Sequence, residues 1–268
     1  MKKLNHLNQQ VVWITGASSG IGRALAKACA LQGASVILTA RRFDVLEQVR
    51  LTLAHPEQHL CIAMDITNEA EVSEAYQKVL AHKGRIDWLI NNAGLSQRAL
   101  ITETSMQTER TIMEIDYFAQ VFLTKTVLPT FMQQQSGRII FVSSVAGLLG
   151  TQYRASYSAA KAAIHMWANS LRAEIADQGI EVSVLFPGFV NTDVSLNALN
   201  GAGEAQCHQD EAIEQGLDAD QFARMALKAL MDGQEYIVIG GAKERLGTWI
   251  SRLSPSTLYK MIRKAKVK

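Results

Sequence analysis

Seven short runs of apolar, mostly β-branched residues recur along this chain. They read VVWIT (residues 11–15), SVILT (35–39), LCIAM (60–64), IDWLIN (86–91), GRIIFVS (137–143), EVSVLF (181–186) and EYIVIG (235–240). Between them lie stretches with helical spacing, among them RALAKACALQG, EVSEAYQKVLA, a long one around 105–132 and YSAAKAAIHMWANSLRAEIA. This alternation limits the fold more than any other feature. A strand that is apolar on both faces needs cover on both sides, and a parallel neighbour needs a crossover long enough to hold a helix. The expected architecture is therefore α/β: a doubly wound, Rossmann-type seven-stranded parallel sheet with helices on both faces, in a single domain. Residues 1–242 are expected to form that domain. Two segments break the pattern: a polar excursion at 190–218, read as a lid, and a basic extension at 243–268.

The composition agrees with a large buried core, because 48% of the 268 residues are hydrophobic and 19% charged. A net charge of +2 implies no polyanionic partner, so nucleic acid is not expected. Cys29, Cys61 and Cys207 are far apart and form no CxxC, which argues for a reducing compartment and against a disulfide framework or a zinc site. The basic start MKKLNHLNQQ lacks the apolar core of a signal peptide, and the uncharged run of 15 residues between Arg138 and Arg154 falls short of a membrane span of about 20. A soluble, cytoplasmic protein is expected, with no metal.

In such a fold a ligand sits beyond the carboxyl ends of the strands. TGASSGIG (15–22) follows the first strand and opens the first helix. Gly16 suits the tight turn, Gly20 lets backbone approach a pyrophosphate, and Gly22 allows close helix–strand packing. Ser18, Ser19 and Ile21 complete the loop, whose free amides favour an anion. At the end of the second strand, where an acid would bind a ribose 2′-hydroxyl, the chain has Ala40 followed by Arg41 and Arg42. A guanidinium can pair with a 2′-phosphate that a carboxylate would repel, so NADP(H) is the expected cofactor.

Tyr157 and Lys161 in SYSAAKAAIH stand one helical turn apart on the same face. Taken with MDIT (64–67), NNAG (91–94), VSSVAG (142–147) and PGFVNT (187–192), these motifs resemble the short-chain dehydrogenase/reductase family, in family order, over about residues 10–240. The resemblance implies that Tyr157 is the general acid–base for a carbonyl or alcohol substrate. Lys161 would favour the phenolate and hold the nicotinamide ribose, and Ser144, distinguished from Ser143 by spacing, would bond the substrate oxygen. It further implies contacts to adenine from Asp65 and Ile66, to ribose from Asn92, Ala93 and Gly94, and to nicotinamide from Pro187, Gly188, Val190 and Thr192.

The chain departs from the family in one respect. Many relatives have asparagine where Asp116 stands, and the added negative charge either pairs with Lys161 or is a solvated or packed aspartate without catalytic consequence. Asp116 is therefore a fourth candidate catalytic residue. Leu148, Leu149, Tyr153, Phe189, Val194, Leu196 and Leu199 are candidates to line a fairly apolar pocket. In the extension, eight basic residues stand against one acid, with apolar stripes Leu246–Trp249–Ile250–Leu253 and Leu258–Met261–Ile262. Such a helix can lie on an anionic membrane, but packing on its own protein or a partner subunit is favoured. A homo-dimer or homo-tetramer is expected by family analogy. Other readings of the same motifs are an epimerase or dehydratase and a nucleotide-binding regulator.

Overall fold

The computed structural model describes residues 7–263. In chain order the domain is built from β1 (Val11–Thr15), α1 (Gly20–Leu31), β2 (Ser35–Ala40), α2 (Phe43–Leu51), β3 (Leu60–Ala63), α3 (Glu69–Lys83) and β4 (Trp88–Asn91). It continues through α4 (Met106–Met113), α5 (Ala119–Gln134), β5 (Gly137–Val142), α6 (Ala155–Glu174) and β6 (Ile180–Pro187). After β7 (Val190–Asn191), α7 (Glu211–Glu214), β8 (Leu217–Asp218) and α8 (Ala219–Met231), the chain enters β9 (Tyr236–Ile239) and ends in α9 (Ala242–Leu253) and α10 (Pro255–Ile262).

All seven predicted strands form, and they pair in parallel in the order β3-β2-β1-β4-β5-β6-β9. Alternate side chains of each strand feed the cores on opposite faces. From β1, Val12 and Ile14 enter the core shared with α1, α2 and α8, whereas Val11 and Trp13 enter the one shared with α3, α5 and α6. Both faces are covered, which is why these strands read as continuous apolar runs rather than as an alternation.

Two features were not legible as separate elements. The 105–132 stretch is not one α-helix: α4 runs through a π-helical turn, Glu114–Phe118, into α5. The 190–218 segment carries the small parallel ribbon of β7 and β8 and the short α7.

In the tail the two apolar stripes are placed differently. Leu246, Trp249 and Leu253 do not pack on the body of the protein but are 57%, 61% and 80% exposed, while Ile250 is half-buried. In the second stripe Leu258 is buried and Ile262 half-buried, while Met261 is exposed. The basic residues Lys264, Lys266 and Lys268 lie outside the described residues.

The thiols provide a check on this packing. Burial pushes Cys29 up to about 12, and burial together with a Glu47 hydrogen bond does the same for Cys61, whereas Cys207 is exposed. Because the thiolate is the reactive form, DTNB should titrate one thiol rapidly in the native protein and the other two only after denaturation. A second fast thiol would contradict the buried placement of Cys29 or Cys61.

Candidate active site

A cavity of about 1580 Å³ runs along the carboxyl edge of the sheet and is lined from the ends of all seven strands. Its floor crosses the seam between β1 and β4, where the strand order reverses. The glycine loop, the 190–218 segment and α10 all contribute to its lining.

The glycine loop has the conformation its residues predict. Gly16 and Gly20 adopt φ of +64° and +52°, which a side chain would strain. Gly16, Ser18, Ser19, Gly20 and Ile21 line the cavity. Gly22 does not: it packs so closely on the Gly16 carbonyl that a Cβ would collide with it. The first turn of α1 has neither an acidic side chain nor a side-chain cap, so its amides remain available to an anion. Arg41 and Arg42 are exposed on the wall beyond β2.

NNAG acts largely as a brace. The Asn92 amide donates to the Thr15 carbonyl at 2.8 Å and the Gly16 carbonyl at 3.3 Å, while the backbone N–H groups of Asn92 and Ala93 both donate to Thr15 Oγ1 at 3.0 Å. Gln120 on α5 holds the Ala93 carbonyl at 3.0 Å. Asn92, Ala93 and Gly94 still border the cavity, as do Asp65 and Ile66. One Asp65 oxygen accepts the Thr67 amide (2.9 Å) and hydroxyl (2.8 Å), and it is Asn68 rather than Asp65 that caps α3. Pro187, Gly188, Val190 and Thr192 line the opposite wall.

The reactive groups gather between these walls. Ser144, Tyr157 and Lys161 all border the cavity. Adjacent serines have separate tasks: Ser143 Oγ donates to the Lys161 carbonyl at 2.8 Å and tethers α6 to β5, whereas half-buried Ser144 accepts the Ala146 amide at 3.1 Å. Lys161 Nζ donates to the Val142 carbonyl at 3.1 Å and lies 5.6 Å from the centre of the Tyr157 ring.

Asp116 does not border the cavity. The π-turn swings it fully inside, where Oδ1 accepts the Leu95 amide at 2.7 Å and Oδ2 stands 3.2 Å from Lys161 Nζ. The pairing reading therefore holds over the solvated one. Burial pushes the Asp116 carboxyl up, against the attraction of Lys161 and the Leu95 amide. Burial also opposes the Lys161 charge, but Asp116 and the Tyr157 phenol outweigh it and hold the ammonium above its ordinary value. Gly94 makes room for the pair, since a Cβ there would stand 2.9 Å from Nζ and 3.1 Å from Asp116 Oδ1.

The far end of the cavity is less apolar than expected. Leu149, Phe189, Val194 and Leu199 line it, but Leu148, Tyr153 and Leu196 do not. Arg98, Arg154 and Thr151 also border it, together with Leu258, Met261 and Ile262 from α10. Arg98 and Arg154 both reach Asp210. Only the position of Arg154, three residues before Tyr157, hinted at this in the sequence; Arg98 and Asp210 come from distant loops.

Removing one partner from a buried ion pair strands the other, at a cost of about 3–5 kcal/mol. Asp116→Ala should lose stability of that order in urea titrations. Asp116→Asn keeps an acceptor for the Leu95 amide and should lose less. Equal, sub-kilocalorie losses would show that the pair does not hold the turn.

Comparison with known proteins follows the same lines. Residues 10–201 match the short chain dehydrogenase family. A dehydrogenase/reductase SDR family protein 7-like of Anopheles gambiae is 37% identical over 98% of this chain and 85% of its own length. A dehydrogenase/reductase SDR family member 7B of Bos taurus is 31% identical, over 96% of this chain and 81% of its own. Among solved structures, a short-chain dehydrogenase from Streptomyces avermitilis superposes with a TM-score of 0.80 at 30% identity, covering 96% of this chain and 98% of that one. The chain belongs to the short-chain dehydrogenase/reductase family of nicotinamide-dependent oxidoreductases.

Proposed function

We propose that this chain is an NADP(H)-dependent oxidoreductase that moves a hydride between nicotinamide and a carbonyl or alcohol substrate, with Tyr157 as general acid–base. The observation that carries the reading is spatial. Ser144, Tyr157 and Lys161 border the same cavity as the glycine loop and the arginines beyond β2. The residues present fit a dinucleotide: side-chain-free loop positions at Gly16 and Gly20, the uncapped start of α1, and Pro187, Gly188, Val190 and Thr192 along the opposite wall. Arg41 and Arg42, with no acid at the end of β2, favour a 2′-phosphate over a bare hydroxyl. When bound, the cofactor supplies or accepts the hydride.

The chain's own groups manage the proton. Ser144 Oγ and the Tyr157 hydroxyl serve the substrate oxygen as hydrogen-bond donors, and Tyr157 gives up its proton as that oxygen becomes an alcohol. In the reverse direction the phenolate takes it back. Lys161, held charged and anchored to the Val142 carbonyl, stabilises the phenolate, while Asp116 offsets part of that help.

Three experiments test the reading. Tyr157→Phe should lower turnover of NADPH with ketones by about 10²–10⁴-fold with NADPH affinity retained; undiminished turnover would remove Tyr157 as the acid. Arg41→Ala with Arg42→Ala should raise the KM for NADPH on the order of 10–100-fold and leave that for NADH nearly unchanged. A parallel rise for both cofactors would argue against 2′-phosphate recognition. Asp116→Asn removes the negative charge beside Lys161, so the uncompensated ammonium favours phenolate more strongly. The pH at half-maximal kcat for alcohol oxidation should then fall by about one unit, and a rise would contradict the offset.

A further inference from the structure

Beside the cavity, two guanidiniums that line it share one carboxylate. Arg98 Nε lies 2.6 Å from Asp210 Oδ2, and Arg154 reaches the same oxygen at 3.4 Å. All three side chains are at least nine-tenths buried, at 9%, 10% and 9% exposure for Arg98, Arg154 and Asp210. Arg98 is otherwise well served, donating to Ser96 Oγ at 2.6 Å and the Gln97 carbonyl at 2.7 Å.

Arg154 is not. Its contact with Asp210 is long, and its buried Nε has no hydrogen-bond partner among the described residues. The other oxygen of Asp210 is taken by Gln206 Nε2 at 3.3 Å, so the carboxylate cannot turn fully toward Arg154. Burial and the neighbouring Arg98 charge lower the Arg154 guanidinium to about 10, which still leaves it charged at neutral pH. Thr151 Oγ1, on the same wall, is likewise buried without a partner among the described residues. Other charges lining this part of the cavity, from the 190–218 segment and the start of α9, are Asp193, Asp218 and Lys243, all exposed, and half-buried Glu244. They lie where solvent screens them and leave the surplus at the buried cluster positive.

A buried guanidinium with an unmade hydrogen bond is costly, and an incoming oxyanion is the group that relieves it. Arg154 stands three residues before Tyr157, about 4.5 Å of helical rise, so such a group would lie close to the reacting carbonyl. We propose that the substrate carries an oxyanion, a carboxylate or a phosphate ester, about one helical turn from its carbonyl, and that Arg154 with Arg98 binds it. The inference rests on the oxidoreductase reading above and names its substrate class. Asp210 is then a resident counter-ion that competes with the substrate for the same guanidiniums.

The test compares matched ketones at saturating NADPH: 2-oxo and 4-oxo carboxylates against their methyl esters, and keto phosphate esters against the parent keto alcohols. The expected result is a preference of at least about tenfold in kcat/KM for the anionic member of one series, and the series that shows it identifies the anion. In Arg154→Met that ratio should fall toward one. In Asp210→Asn the KM for the anion should fall, because a competitor is removed. If the cluster merely pinned the 190–218 segment, Asp210→Asn would instead impair charged and neutral ketones alike.

Inhibition offers a readout that needs no substrate preference. Acetate or inorganic phosphate should compete with a neutral ketone in the wild type, and several-fold less strongly in Arg154→Met. Equal use of anionic and neutral ketones by the wild type, or a ratio unmoved by Arg154→Met, would overturn the proposal. Absence of NADPH binding would instead overturn the oxidoreductase reading on which it stands.

Discussion

Between β1 and β4 the chain reverses the direction in which it adds strands, and the connections on either side of that seam must diverge. Everything functional depends on this opening. Parallel strands place all their carboxyl ends on one edge, so the glycine loop, NNAG, Ser144 and the loop after β6 come to one place although they are far apart in the chain. The seam is held open by specific bonds rather than by bulk. Thr15 Oγ1 accepts two amides from the NNAG turn, and Asn92 returns a bond to the Thr15 carbonyl. These contacts reinforce the β1–β4 pairing at the seam, which α3 crosses on its way from β3 to β4.

The second constraint is electrostatic. Lys161 is 3% exposed, so its charge must be met from inside the protein. The Val142 carbonyl, Asp116 and the nearby Tyr157 ring supply that environment. Asp116 reaches the ammonium only because the helix between Met106 and Gln134 widens into a π-turn at residues 114–118. Such turns are uncommon and cluster at functional sites. Here the turn lets a carboxylate take the Leu95 amide and face the ammonium together. A carboxyl stands beside the ammonium at this point, where many relatives have an amide.

The substrate end follows a different logic. Two arginines and a shared aspartate connect the loop after β4, the start of α6 and the 190–218 segment. This cluster ties the loops together and also leaves positive charge beside Tyr157. Opposite it, α10 presents Leu258, Met261 and Ile262 to the cavity. The basic extension thus has two faces: one lines the cavity, and the other carries Leu246, Trp249 and Leu253 into solvent.

Local patterns in the amino-acid sequence were enough for the seven strands, their parallel sense and the loop that opens α1. Each rests on short-range chemistry: β-branched runs, helical spacing and glycines at positive φ. The family resemblance, rather than local pattern, separated Ser144 from Ser143 and marked Asp116 as unusual. What neither could decide was how distant charges pair. The choice between a solvated and a lysine-bound Asp116 hung on a helical irregularity with no sequence signature. The Arg98–Arg154–Asp210 cluster spans 112 residues, and the burial of Leu258 on α10 depends on what it meets. Burial and long-range ion pairing are properties of the assembled chain, because a charge's surroundings are set by whichever segments fold against it. Only the tertiary structure decided those.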